Sequence, residues 1–173
     1  VCSSDLVLFH RTNDEEIKPC RTYFWKKIKD KVQGKAMVEA ALEINHWCAG
    51  EVMYQGTDMR TGSALEIYRS GVGRCGEEAV FVVNVMRSAG IPARPVYVPR
   101  WSHCDDNHAW VEVWCDGDWH YLGACEPEAV LDKGWFTNAA SRAMMIGSRW
   151  YDRAMPDEKV IGKDGMNRII NLL

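Results

Sequence analysis

A chain of 173 residues with 47% hydrophobic and 26% charged residues has the size and make-up of one globular domain with a real core. Its formal net charge of -3 gives no polyanion-binding signal, which excludes nucleic acid as a partner. No apolar run approaches the roughly 20 residues of a membrane helix.

The first residues, Val1-Cys2-Ser3-Ser4-Asp5, lack the basic and apolar regions of a signal peptide. The chain starts without Met, and Ile169-Ile170-Asn171-Leu172-Leu173 reads as an apolar strand cut short. Both ends suggest one domain, residues 1–173, excised from a longer protein. Residues 1–19 show no strong period, and 1–10 read as a short strand or turn. Over 21–32, Tyr23, Phe24, Ile28 and Val32 recur at helical spacing, with Lys26, Lys27, Lys29 and Lys31 facing outward and Gly34 as the stop. A second helix is expected over 35–48, where Met37, Ala40, Ala41, Ile44, Trp47 and Cys48 form one stripe. A short extended piece over 51–55 leads through a turn to a helix over 64–69.

Next comes Gly73-Arg74-Cys75-Gly76-Glu77-Glu78, a glycine-broken loop that opens into the apolar run 79–86. Glu77 and Glu78 in the first turn, Arg87 in the last, Gly90 as a stop and Pro92 beyond mark a helix starting at Cys75. Three strands follow over 93–98, 108–115 and 119–122, the last two joined by an Asp116-Gly117 hairpin turn. Residues 99–106 read as a loop, 138–145 as a short helix, and 148 onward as loop with an extended end. The order predicts an α+β fold in which the Cys75 helix packs on a mainly antiparallel sheet.

The seven cysteines are odd in number and irregular in spacing, with no Cys-x-x-Cys. That pattern is neither a disulfide framework nor a zinc ribbon. Several buried thiols and one reactive thiol account for it, with Cys115 and Cys125 near enough in the chain to be oxidised together. His103, Cys104, Asp105, Asp106, His108, Cys115 and His120 crowd one stretch. Their spacing does not match the paired ligands of common zinc sites, so no metal is expected.

Cys75 is the candidate nucleophile. A thiol at a helix N-terminus meets free backbone N–H groups and the positive end of the dipole, which favour the reactive thiolate. His108, at the start of an alternating strand, is the candidate base. The bland alternatives are a buried helical cysteine and a merely hydrogen-bonded strand histidine. Arg74 and Arg94 are expected to brace the site against Glu77, Glu78 or Glu112. Trp110, Trp114 and Trp119 read as core and hairpin packing, and Trp101, on the loop before His108, as a substrate-groove residue.

Three segments together resemble the transglutaminase-like superfamily of papain-like thiol enzymes. They are Gly73-Arg74-Cys75-Gly76-Glu77; Arg87-Ser88-Ala89-Gly90-Ile91-Pro92-Ala93-Arg94; and His108-Ala109-Trp110-Val111-Glu112-Val113-Trp114 with Trp119 after the turn. The core they imply spans about 36–130. Arg74-Cys75-Gly76-Glu77 is similar to the peptide N-glycanase version. The stretch Leu122-Gly123-Ala124-Cys125-Glu126-Pro127 resembles transglutaminase-like proteins of gut-type bacteria. The family closes its triad with an aspartate four residues after the hairpin tryptophan, where this chain has Gly123. Glu126 and Asp132 are the nearest replacements, Glu126 is favoured, and an absent third member is the remaining option.

The resemblance implies acyl transfer through a thioester at Cys75, with His108 moving protons. The Cys75 N–H and the Gln55 side chain would hold the oxyanion. Hydrolysis of a protein or peptide amide is the leading reading. Release of glycans from glycopeptides and protein cross-linking are the alternatives within the class. A catalytically inactive binding module is the alternative outside it. No cofactor is required, and no acidic loop has calcium-binding spacing. Relatives of this kind are commonly exported in bacteria, which implies a periplasmic or surface location.

Overall fold

A computed structural model describes residues 5–8, 11–58, 60–150, 159–164 and 167–172. Four helices come before the helix that starts at Cys75: α1 (Asp5–Leu8), α2 (Arg21–Val32), α3 (Met37–Glu51) and α4 (Ala64–Ser70). The expected strand or turn near the N-terminus is therefore a helical turn over its described part. Helix α2 buries Phe24, Ile28 and Val32, one residue per turn, while Tyr23 faces out. Gly34 follows it with φ +79°, the left-handed conformation that glycine adopts at no steric cost. Ser63 caps α4 in a reciprocal box with Glu66, each side chain accepting a backbone N–H of the other.

Between α3 and α4 lies β1 (Met53–Tyr54), which pairs in parallel with β2 (Val72–Gly73) just ahead of α5 (Cys75–Ser88). Every residue of α5 from Glu77 to Ser88 is buried. It packs against α2, α3 and α4 on one side and the sheet on the other, so its mostly apolar surface is buried all round. Phe81 sits at its centre against the rings of Phe24, Trp47 and Tyr68, at centroid distances of 5.5, 6.0 and 6.0 Å. Phe81→Ala removes a fully buried ring from this cluster. It is expected to destabilise the fold by about 3–5 kcal/mol in urea unfolding at unchanged m.

The sheet has six strands in the order β5-β4-β3-β6-β8-β7, every pairing antiparallel. These are β3 (Ala93–Val98), β4 (His108–Cys115), β5 (Asp118–Leu122), β6 (Gly147–Trp150), β7 (Lys159–Asp164) and β8 (Asn167–Asn171). The first three fall where the sequence pattern puts them. The last three replace the expected loop and extended end: β6 joins the β3 edge and the β7–β8 hairpin continues from it. The helix expected over 138–145 is shorter, α6 (Thr137–Ala140). Beyond it Ala143 and Ile146 turn inward against the second core cluster, formed around Val96, Val98, Trp101, Trp110 and Phe136.

Cys20, Cys48, Cys75, Cys104, Cys115 and Cys125 are all free thiols. The pairing considered for Cys115 and Cys125 is not formed; Cys115 is buried in the main core instead.

Candidate active site

Cys75 is the first residue of α5. The N-terminus of that helix is fixed by Glu77, whose carboxylate accepts the Arg74 backbone N–H at 3.0 Å and pairs with the Arg74 guanidinium. The same carboxylate accepts from Thr57 Oγ1 and from the Gly62 N–H, tying Thr57 and Gly62 to the start of α5. Arg94 pairs with Glu112 at 2.7 Å and lies over the Trp119 ring. The expected bracing thus uses Glu77 and Glu112 but not Glu78.

His108 starts β4, and Val98 is its partner across the ladder with β3. Cys75 and His108 line one cavity of about 280 Å³, with Ala109, Pro95 and Arg149 among its other walls. Backbone N–H groups of Ala109, the residue next to His108, and of Gly76 favour the Cys75 thiolate. The helix start and the strand start therefore meet at this cavity.

Burial pushes the Cys75 thiol above its usual pKa, against the pull of those two N–H groups and with a smaller push from Glu78 and Glu126. Burial likewise lowers His108 to about 4. The sequence-based expectation of a resting thiolate is thus reversed. Desolvation disfavours both charged forms more than the helix end can offset, and the free site rests as thiol and neutral imidazole.

His108 is 6% exposed and its Nε2 has no hydrogen-bond partner. Glu126 Oε2 lies 3.9 Å from that nitrogen. Glu126 belongs to the turn leaving β5, where Glu126 N donates to Gly123 O at 3.1 Å. A Cβ placed on Gly123 would sit 2.4 Å from Glu126 Oε2 and 2.8 Å from its Cβ. The Glu126 carboxylate therefore fills the space that a side chain at position 123 would occupy. Asp132, the other candidate, is engaged elsewhere: it pairs with His120 Nδ1 at 2.7 Å and accepts the Tyr121 N–H.

Two residues that hold the Glu126 turn have weak sequence signals. Buried Asn45 of α3 clamps the Glu126 turn, accepting the Cys125 N–H at 3.0 Å and donating to Gly123 O at 2.9 Å. A polar residue inside the apolar stripe of that helix is its signal. Trp135 is 65% exposed, lies 4.6 Å from the His108 ring and donates its indole N–H to both Glu126 oxygens at 3.0 Å. Gly134 before it is the only local cue.

The expected groove residue Trp101 is 5% exposed and packs behind His108 at a centroid distance of 6.4 Å. Its ring completes the second core cluster, so it is a wall for the imidazole and not an open substrate contact. Gln55 is exposed, and its N–H donates to Gly73 O at 2.9 Å, two residues ahead of Cys75.

Glu78, one turn into α5 and 3% exposed, is raised to about 8 by burial, with repulsion from Glu126 and Glu77 adding to it. Burial also raises Glu126, and the Trp135 N–H opposes that. A carboxyl whose pKa is raised on folding stabilises below its unfolded value near 4.5, and loses that stability as pH climbs through 8. Glu78→Gln is expected to flatten the stability profile between pH 5 and 8 and to melt higher than the parent at pH 8. The slope removed is up to about 1.4 kcal/mol per pH unit.

A buried helix carrying a cysteine at its N-terminus, packed on an antiparallel sheet that presents a histidine, defines a papain-like α+β thiol-enzyme architecture. The transglutaminase-like superfamily model matches residues 26–124, and the chain belongs to that superfamily. A putative cysteine protease from Cytophaga hutchinsonii has a similar fold, with a TM-score of 0.56 at 18% identity over 98% of this chain and 64% of that one. The chain thus spans somewhat under two thirds of that protein. A putative protease from Parabacteroides distasonis aligns at 18% identity with a TM-score of 0.49, over 60% of this chain and 22% of that one. No curated protein matches the sequence. Among the described residues, no helix is long and apolar enough to cross a membrane.

Proposed function

We propose that the domain is a cysteine-dependent acyl transferase acting on amide bonds, with water as the usual acceptor, and so a hydrolase of protein or peptide amides. The observation that carries this reading is the meeting of Cys75, at the start of α5, and His108, at the start of β4, in one cavity.

His108, neutral at physiological pH, takes the thiol proton as the sulfur attacks the substrate carbonyl. The ring nitrogen that serves is Nδ1, because Nε2 faces Glu126. The Cys75 N–H and the Gln55 amide receive the oxyanion, a contribution worth roughly 2.7–4 kcal/mol of barrier per donor. The protonated imidazole then passes its proton to the leaving amine. Water attacks the thioester with His108 again as base, releasing the acid and the free thiol. Glu126 holds the imidazole and stabilises its charged form.

Three products distinguish the activities open to this site. A glutamine- or asparagine-containing peptide, a glycopeptide and a primary amine acceptor should be offered in parallel. Release of ammonia or a new peptide carboxylate, with no amine incorporated, is the expected result. Freed glycan would move the assignment to a glycan-releasing amidase, and amine incorporation to a cross-linking enzyme. The unpartnered His108 Nε2 also favours a second reading, a binding module with an unassembled site. In that case Cys75→Ala leaves ligand binding intact and there is no turnover to lose.

A further inference from the structure

We infer that Trp135 is a latch: its indole N–H holds the Glu126 carboxylate off His108, and displacement of the ring on substrate entry frees Glu126 to pair with His108. The inference rests on the proposed roles of Cys75, His108 and Glu126.

Four observations lead there. Both Glu126 oxygens accept from the single indole N–H at 3.0 Å. His108 Nε2, 3.9 Å from one of those oxygens, is buried with no partner. A buried polar atom left unpaired is costly and marks a place where something else is meant to bind. The gap of 3.9 Å exceeds a hydrogen bond, and a shift of about 1 Å would close it to the usual 2.7–3.2 Å range.

The fourth is the placement of the ring. Trp135 is the exposed side of the His108 environment, while Trp101, Trp110 and Phe136 hold the imidazole from within. A substrate pressing on the outer face of His108 meets Trp135 first. If Trp135 merely oriented Glu126 toward the imidazole, Nε2 would already be within bonding distance.

Closing the gap fixes the tautomer. An Nε2–H donating to Glu126 leaves Nδ1 bare, the form that can accept the thiol proton. The free enzyme is thereby held short of its reactive arrangement. The titratable groups around the pair are Cys75 and Glu78 from α5, Glu126 itself, and Asp106 from the loop before β4.

Trp135→Phe keeps an aromatic ring beside His108 and deletes the donor, so it isolates the latch. The His108 titration, followed by NMR in the full chain, is compared in the parent, in Trp135→Phe and in Trp135→Phe/Glu126→Gln. In Trp135→Phe the His108 midpoint is expected to move up by about 1–3 pH units, the usual effect of a newly paired carboxylate. The acid limb of kcat/KM should move with it, and the double variant should return toward the parent value. An unmoved midpoint in Trp135→Phe overturns the latch. So does an equal rise in the double variant, which would report simple hydration of the imidazole. The titration needs no turnover, so failure of the catalytic reading would show separately, as turnover that survives Cys75→Ala.

Discussion

Cys75→Ala is expected to remove amide turnover, with a loss of roughly 10^4- to 10^6-fold in kcat at nearly unchanged stability. The thiol is the only group at the helix start that can form the covalent intermediate. His108→Gln should cost about as much, because a protonated thiol held up by burial is not nucleophilic without its base. The two losses should not add. A nucleophile and its base act as one unit, so the double variant should be no slower than either single one. Steady-state kinetics on one peptide amide, with folding followed by circular dichroism, checks all three. Additive losses would mean that His108 acts somewhere other than on Cys75.

The same pair sets the pH profile. The His108 imidazole, lowered to about 4 by burial, stays neutral and able to accept a proton down to mildly acidic pH. The kcat/KM profile reports the free enzyme. It should therefore hold level to about pH 5 and fall below that, unlike an ordinary histidine-dependent profile, which falls near 6.5.

The second large effect concerns the third member of the triad. Glu126→Ala should lower kcat by about 10^2- to 10^4-fold, the range from a loosely placed to a fully engaged carboxylate. Gly123→Asp should help in one background and harm in the other. With Glu126 present, a new side chain at 123 meets its carboxylate at 2.4 Å and forces the turn apart. Activity and melting temperature should both drop. In Glu126→Ala that space is empty, and an aspartate there returns a carboxylate to the His108 side. Recovery of about tenfold or more is expected. A sign change between backgrounds in kcat/KM identifies one carboxylate site filled from either position. Unchanged activity in Glu126→Ala would remove Glu126 from the triad, and damage by Gly123→Asp in both backgrounds would show that position 123 cannot supply the carboxylate.

Much of this was legible in the sequence because local rules and tertiary packing agree there. The Cys75 helix announces itself by acidic residues first, Arg87 last and Gly90 beyond, and α5 obeys. The strand that starts at His108 buries Val111, Val113 and Cys115 at every second position, as its pattern predicts, with His108 and Trp110 buried on the other face as well. The α+β class follows from those elements, and the pairing of Cys75 with His108 from the family resemblance. The β6 strand was not legible, since Gly147-Ser148-Arg149-Trp150 has no alternation and is held by its pairing with β3 and β8. Trp101 misled because loop position suggests exposure, whereas its ring is drawn into the cluster behind His108. The resting charge state misled for a related reason. The helix end is written in the sequence, but the desolvation that overrides it depends on the walls around it. Trp135 and Asn45 act on Glu126 from distant parts of the chain, and no spacing rule joins 45, 126 and 135.

The claim beneath the whole account is that acyl transfer passes through Cys75. An activated ester of a peptide acid, reacted in acid-quenched single turnovers, should let a thioester accumulate before water clears it. Peptide mapping by mass spectrometry should then find the acyl mass on the peptide that contains Cys75. The adduct should be sensitive to hydroxylamine and absent in Cys75→Ala. Turnover with no adduct, or an adduct on the exposed Cys104 instead, would contradict the account.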